Sequence, residues 1–121
     1  MNLGRDLGKR GEEIAVHFLK KNHYKIIEKN FRCKFGEIDI IAVEDQTLVF
    51  IEVKARSSLE YGIPQMSITA KKRQQLLKVA LYYLQINKLF NRDARFDVVA
   101  VEVGAEKSRI ELIRNAFEIS K

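Results

Sequence analysis

Two apolar runs near the middle of the chain, GEIDIIA with Glu37 and Asp39 and TLVFIEVK with Glu52 and Lys54, carry charged residues at alternating positions. Because side chains alternate between the faces of a strand, Asp39 is predicted to share a face with Glu37 and Ile41. Glu52 and Lys54 share a face of the second strand by the same rule. Acidic groups in such strands are costly unless they are paired or bind a cation, and Mg²⁺ prefers oxygen ligands. The pattern therefore predicts a hairpin that gathers Asp39, Glu52 and Lys54 around a metal ion.

Several segments resemble known nucleases. An acidic residue followed by Glu-x-Lys on the next strand resembles the core of the PD-(D/E)xK nuclease superfamily, although Ile38 stands where that superfamily has its proline. The segments GKRGEEIA, NFRCKFGEIDIIA, LVFIEVKAR and ARFDVVAV together resemble the YraN/UPF0102 family of bacterial proteins related to Holliday junction resolvases. This resemblance implies a metal-dependent endonuclease with a restriction-endonuclease-like core, acting on DNA that is structured or branched.

In such a nuclease, Asp39 and Glu52 are expected to bind Mg²⁺ or Mn²⁺, with the Val53 carbonyl as a third ligand. The metal lowers the pKa of a bound water and polarises the phosphate. Lys54 orients or deprotonates this water, or neutralises charge in the transition state. The alternative for Glu52 and Lys54 is a surface ion pair on an edge strand. The apolar flanks of LVFIEVK count against it, because they are typical of a central strand.

Glu12 is a further candidate for the metal site. Helical periodicity puts it on the apolar stripe of the first helix, beside Gly8 and Gly11, whereas Glu13 falls on the wet face. From the residues alone, Glu12 near a helix start is explained by the helix dipole. The family resemblance instead implies that it is a carboxylate that the helix adds to the catalytic and metal-binding residues.

The distribution of charge indicates a polyanionic partner. Residues 36–53 carry five acids and no base, whereas residues 54–95 carry nine bases and two acids, for a net charge of +7. An acidic pocket flanked by basic segments suits an enzyme that holds a metal and grips a phosphate backbone. The predicted nucleic-acid contacts are Arg56, Lys71, Lys72 and Arg73. A plain surface charge is an equal alternative for Arg56, and a helix-end arginine extending toward solvent is the commoner case for Arg73.

Two other kinds of protein stay open. One is a nucleic-acid-binding module that has the nuclease fold without cleavage activity, and the other is an adaptor whose acidic hairpin binds a basic tail. DNA is favoured over RNA through the resolvase resemblance. A homodimer and dependence on a further protein partner are also open, because no stretch of the sequence identifies an interface.

Composition sets outer limits on these hypotheses. A chain of 121 residues with 46% hydrophobic and 31% charged residues is expected to form one globular domain over residues 1–121. It contains no apolar run near the ~20 residues that span a bilayer, so no membrane partner is expected. The N-terminal segment does not resemble a secretory signal, and the single cysteine cannot form an intramolecular disulfide. The expected location is the cytoplasm.

The elements that would position these residues follow the order αβββαββ. Predicted helices cover about residues 4–22 and 69–87, and the second has Thr69 as its N-cap and a core face of Leu77, Ala80, Leu81 and Leu84. Strands are predicted near 24–31, in the two runs joined at residues 44–46, and at 95–103 and 108–113. A polar connection at 55–67 is expected to form a loop over the site. This order favours an α/β or α+β fold, a mixed sheet flanked by helices.

Overall fold

The computed structural model describes residues 3–57, 68–104 and 108–119 of the chain. The elements follow the predicted order αβββαββ: α1 Leu3–Lys21, β1 Lys25–Cys33, β2 Gly36–Glu44, β3 Thr47–Ser57, α2 Ala70–Ile86, β4 Ala94–Val103 and β5 Arg109–Glu118. Strand β5 extends five residues beyond its predicted end. The predicted loop over the site falls largely on residues 58–67, outside the described residues.

The five strands form one mixed sheet in the order β1-β2-β3-β4-β5. Strands β3 and β4 run parallel, and α2 lies between them in the chain, as expected for a crossover connection. The other neighbouring strands pair in antiparallel fashion. This is the predicted α+β class, and β3, which carries Glu52 and Lys54, is the central strand.

The two helices pack on different hydrophobic cores. The α1-side core contains Leu19 of the helix together with Ile40, Val49 and Ile51 of the sheet. The α2-side core contains buried residues of α2 with Ile38, Ile41, Leu48, Phe50 and Phe96. Because the central strands are covered by a core on both faces, a polar side chain on them is costly unless it has a partner.

The buried face of α2 differs from the predicted one. The side chains buried in α2 are Leu76, Val79, Ala80, Tyr83 and Leu84, whereas Leu77 and Leu81 are half-buried. Tyr83 packs edge-on against Phe31 and Phe50, which turns the helix toward the aromatic side chains of the sheet. The predicted N-cap is confirmed, since the Thr69 hydroxyl accepts a hydrogen bond from the Lys72 backbone N–H at 3.2 Å.

Helix α1 approaches the central strand closely at Gly11. A Cβ atom at this position would lie 2.4 Å from Cβ of Ala55 in β3, so the approach requires glycine. Gly8 differs, because an added Cβ there would meet nothing within 4 Å. The contact brings the N-terminal half of α1 against the end of β3 that bears Lys54.

Among the residues that the structure describes, the fully buried charged side chain is that of Asp97 in β4. It accepts hydrogen bonds from the Tyr24 hydroxyl at 2.7 Å, from Nε of Arg95 at 2.9 Å and from the Asn115 backbone N–H at 2.9 Å. Burial and the Asp97 carboxylate raise the pKa of Tyr24. These contacts make Asp97 a structural carboxylate. Within the described part of the chain, no helix is long and apolar enough to cross a membrane.

Candidate metal site

Asp39 occupies the point where β2 separates from β3. Pairing of the two strands runs from Ile40 opposite Ile51 to the turn. One residue further, Oδ2 of Asp39 accepts the Val53 backbone N–H at 2.8 Å. The carboxylate thus takes the place of a backbone acceptor and lies beside β3.

Regular alternation of side chains is interrupted at this residue. Ile38 packs in the α2-side core and Ile40 in the α1-side core, although they are two residues apart. Asp39 lines a cleft on the α1 side, whereas Ile41 packs on the α2 side. The prediction that Asp39 and Ile41 share a face is therefore wrong, because the strand is irregular where it leaves the β2–β3 ladder.

The carboxyl group of Asp39 lies beside that of Glu52. Burial, followed by this contact with Glu52, raises the pKa of Asp39 from its ordinary value near 4 to about 8. The Glu52 contribution arises because two carboxylates this close repel each other when both are ionised. The sequence prediction that these two residues lie together is confirmed.

One oxygen of this pair receives no hydrogen bond from the part of the chain that the structure describes. Among the described residues, Oε2 of Glu52 is buried and accepts no hydrogen bond. Nζ of Lys72 lies 3.6 Å from this oxygen, an ion-pair distance beyond hydrogen-bonding range for well-aligned groups. A buried carboxylate oxygen in this state is costly and is well suited to coordinate a cation.

These residues fit a hard divalent cation. Asp39 and Glu52 supply two carboxylates from neighbouring central strands, and Val53, the predicted carbonyl ligand, lies beside both. No group of three or more Asp, Glu, His or Cys side chains at metal-binding spacing occurs within residues 3–57, 68–104 and 108–119. Mg²⁺ commonly uses one or two carboxylates and keeps several waters, so the pair and one backbone oxygen suffice.

Glu12 and Glu37 lie in the cleft next to the pair. The cleft has a volume of about 1020 Å³, and its walls come from α1, β1, β2 and β3, including Lys54 and Val53. Glu12 is half-buried and accepts a hydrogen bond from Nδ2 of Asn30 at 2.9 Å. Burial raises the pKa of Glu12, and the Asn30 hydrogen bond opposes this increase. Glu12 thus faces the site, as helical periodicity predicts, while its role as a ligand stays a prediction.

The basic residues predicted to bind nucleic acid take different positions. Lys71 and Arg73 are exposed in the first turn of α2, and Lys72 reaches toward Glu52. Arg56 forms an ion pair with Glu102 at 3.2 Å and is 20% exposed, so it is not a plain surface charge, and its contact with nucleic acid stays a prediction. The alternative of an edge-strand ion pair for Glu52 and Lys54 is wrong, because β3 is central.

Sequence reasoning missed the contact between Lys72 and Glu52. The available signal was the N-cap, because Thr69 places Lys72 in the first turn, four residues before the buried Leu76. Residues four apart share a helix face, so Lys72 extends the buried stripe toward the sheet. A core face that begins at Leu77 would instead direct Arg73, four residues earlier, toward the sheet.

The raised pKa of Asp39 makes the metal-free fold less stable as pH increases. Between about pH 4 and 8 the folded chain binds more protons at this group than the unfolded chain, so the free energy of unfolding falls across that window. Asp39→Asn keeps an acceptor for Val53 and removes the titration. In EDTA we expect the variant to be more stable than wild type by on the order of 2 kcal/mol at pH 8, with the difference vanishing near pH 4.

Thermal unfolding at several pH values measures this effect, and Glu13→Gln, on the exposed side of α1, is the matched control. A wild-type protein that gains stability relative to Asp39→Asn as pH rises would contradict the raised pKa of Asp39.

Comparison with known proteins gives matches along most of the chain. The sequence profile described as "Uncharacterised protein family UPF0102" matches residues 11–101. A UPF0102 protein of Syntrophus aciditrophicus is 50% identical over 113 residues, which cover 93% of this chain and 89% of that protein. A UPF0102 protein of Caldicellulosiruptor saccharolyticus is 53% identical over 115 residues, 93% of this chain and 98% of that protein. A UPF0102 protein of Geobacter metallireducens is 45% identical over 116 residues, which cover 96% of this chain and 95% of that protein.

Proposed function

The chain belongs to the UPF0102 (YraN) family, and from the site described above we propose that it is a metal-dependent endonuclease that hydrolyses phosphodiester bonds in DNA. The observation that carries this proposal is that Oε2 of Glu52, beside Asp39, is buried and accepts no hydrogen bond from the residues that the structure describes. Both residues lie on central strands, and Asp39 lines a cleft that also contains the basic residues Lys29, Arg32 and Lys54. The same arrangement supports placement in the PD-(D/E)xK superfamily.

Each residue of the site has a distinct role in this proposal. Asp39 and Glu52 bind Mg²⁺ or Mn²⁺, which would supply charge neutralisation at the phosphate and activation of a water nucleophile. The Val53 N–H fixes the orientation of the Asp39 carboxylate through its 2.8 Å hydrogen bond. Lys54, two residues after Glu52 and in the wall of the same cleft, orients the water or neutralises transition-state charge. Glu12 adds negative charge on the wall of the cleft that α1 forms.

Lysines near the pair provide the attraction for a polyanion. Lys72 lies 3.6 Å from Glu52 and is 46% exposed, so one ammonium group reaches both the site and solvent. Lys71 and Arg73 flank it in the first turn of α2, where backbone N–H groups also favour anions. A phosphate placed near the carboxylate pair would therefore meet positive charge on the α2 side.

Lys72→Ala is expected to weaken DNA binding several-fold and to reduce the slope of log K against log salt by about one, because one phosphate contact and its released counterion are lost. Binding is measured in EDTA by fluorescence anisotropy at several salt concentrations. Lys20→Ala, an exposed lysine in the last turn of α1, serves as the control. A salt slope equal to that of wild type would reject Lys72 as a phosphate contact.

The proposed activity is tested on end-labelled linear, flapped and four-way-junction DNA in the presence of Mg²⁺, Mn²⁺ or EDTA. We expect metal-dependent products and an order of preference among these substrates. Binding without products on any DNA would contradict the nuclease and favour the alternative, a nucleic-acid-binding module with the same fold.

Two broader expectations belong to the same proposal. Symmetric cleavage of a four-way junction requires two sites, so the junction substrate implies a homodimer on DNA. The cytoplasm is the compartment where this activity would act.

A further inference from the structure

The turn between β1 and β2 presents an aromatic side chain to solvent. Phe35 is 37% exposed although it is a large hydrophobic residue. Its ring meets the edge of Tyr82 of α2, with ring centroids 5.9 Å apart, and Nζ of Lys34 lies 5.1 Å from its centroid. One side of the aromatic group is thus supported by the protein, and part of its surface faces water.

Specific contacts hold this turn in place. Nε2 of Gln75 donates a hydrogen bond to the Phe35 carbonyl at 3.2 Å. Gly36 has a φ of +138°, and a Cβ atom there would lie 2.6 Å from Nε2 of Gln75. The position of Phe35 therefore depends on a fixed backbone conformation and on close contact with α2. Such support reduces the conformational entropy that a ligand must remove.

The adjacent face of α2 is basic. Lys71, Gln75, Lys78 and Tyr82 are spaced three or four residues apart and share one face, and the first three are exposed. No acidic residue occurs in α2. With Lys34 of the turn, the surface combines three lysines with two aromatic rings. This combination is the one that single-stranded nucleic acids require, since lysines contact the phosphates and rings stack on the bases.

The surface begins next to the proposed metal site. Lys72, the neighbour of Lys71, contacts Glu52, and Tyr82 lies roughly 15 Å further along the helix axis. A strand that leaves the carboxylate pair along α2 would therefore pass Lys71, Lys78 and then the Phe35 and Tyr82 rings. In a duplex the base faces are covered by their neighbours, so stacking on an exposed ring needs an unpaired base.

We propose that Phe35, supported by Tyr82 and surrounded by Lys34, Lys71 and Lys78, stacks on an unpaired base of a DNA strand beside the cleaved bond. The substrate class is thus DNA with single-stranded nucleotides next to the cut, as in a flap or an open branch. This inference rests on the proposed function for its position relative to cleavage, whereas single-strand binding by the surface is separate from catalysis.

Binding in EDTA tests the inference without any cleavage. The probes are a fluorescein-labelled oligothymidylate and a blunt duplex of equal length, followed by anisotropy. We expect Phe35→Leu to bind the single strand roughly ten-fold more weakly than wild type, with an unchanged salt slope because the phosphate contacts remain. Binding of the duplex should change less than two-fold. Phe35→Tyr should bind the single strand as wild type does, and Phe90→Leu, an exposed phenylalanine beyond the C-terminal end of α2, is the control.

Single-strand affinity in Phe35→Leu equal to that of wild type would overturn the inference. It would also be overturned if the substitution left DNA binding unchanged but altered the sedimentation of the protein, because Phe35 would then contact a second copy of the chain. Neither result bears on the carboxylate pair, since Glu52 variants and metal-dependent cleavage test the nuclease separately.

Discussion

Glu52→Gln is expected to reduce metal-dependent DNA cleavage by about 10³-fold or more. The substitution preserves side-chain shape but removes the charge that lies against Asp39, and with it one of the two carboxylates proposed to bind the cation. Loss of metal assistance removes several kcal/mol of transition-state stabilisation, and about 1.4 kcal/mol corresponds to a factor of ten in rate. Single-turnover rates on a labelled substrate measure the effect, with DNA affinity measured in parallel in EDTA and expected to stay within a few-fold.

Glu37→Gln is the matched control for this prediction. Glu37 lines the cleft together with Asp39 and precedes it on β2. It forms an ion pair with Arg32 at 2.6 Å, however, and is 39% exposed. We expect its amide variant to cleave within a few-fold of wild type. Equal rates for wild type and Glu52→Gln would remove Glu52 from the catalytic site, and equal losses in Glu37→Gln would indicate a general effect of cleft charge.

Asp97→Ala is expected to lower the free energy of unfolding by about 3–5 kcal/mol. The side chain is fully buried, and its two oxygens accept hydrogen bonds from Tyr24, Arg95 and the Asn115 backbone N–H. Removing the carboxylate leaves the Tyr24 hydroxyl and the Asn115 N–H without this acceptor. Arg95 keeps Glu44 at 2.6 Å as a partner, so part of the network survives.

Urea denaturation of wild type, Asp97→Ala and Asp93→Ala measures this contribution. Asp93 is exposed before the start of β4, and its substitution should change stability by less than about 0.5 kcal/mol. A change below about 1 kcal/mol for Asp97→Ala would show that the buried network contributes little net stability.

The element order was predictable from the sequence because the local sequence patterns favour the same helices and strands that tertiary packing requires. Hydrophobic periodicity located both helices within one or two residues of their observed ends. The N-cap at Thr69 and the positive φ of Asp45 in the β2–β3 turn are local features that short polar residues favour. The alternation of charged and apolar residues correctly predicted that Asp39 and Glu52 lie close together.

The faces of the elements were harder to predict because they depend on irregularities of the sheet. Alternation fails at Asp39, where β2 leaves its ladder with β3, and no local signal in GEIDIIA marks that position. In α2 every position from 76 to 84 except Lys78 is apolar or aromatic, so periodicity alone does not fix the buried stripe. Aromatic packing of Tyr83 against Phe31 and Phe50 decides it, and these partners lie far away in the sequence.

The Lys72 contact and the exposed Phe35 surface depend on the same rotation of α2. With Leu76 rather than Leu77 in the core, Lys72 reaches Glu52, and Tyr82 comes to lie against the β1–β2 turn. Each of these features joins residues that are separated by at least 20 positions in the chain. Pattern reasoning along one segment had no means of finding them.

The claim that Asp39 and Glu52 hold a divalent cation is tested most directly by calorimetric titration of Mn²⁺ into the purified protein and its Glu52→Gln variant at pH 8. We predict saturable binding to wild type, accompanied by proton release from Asp39, and loss of that binding in the variant. Binding of Mn²⁺ with the same affinity and proton release in both proteins would contradict the proposed metal site, as would an absence of binding to wild type.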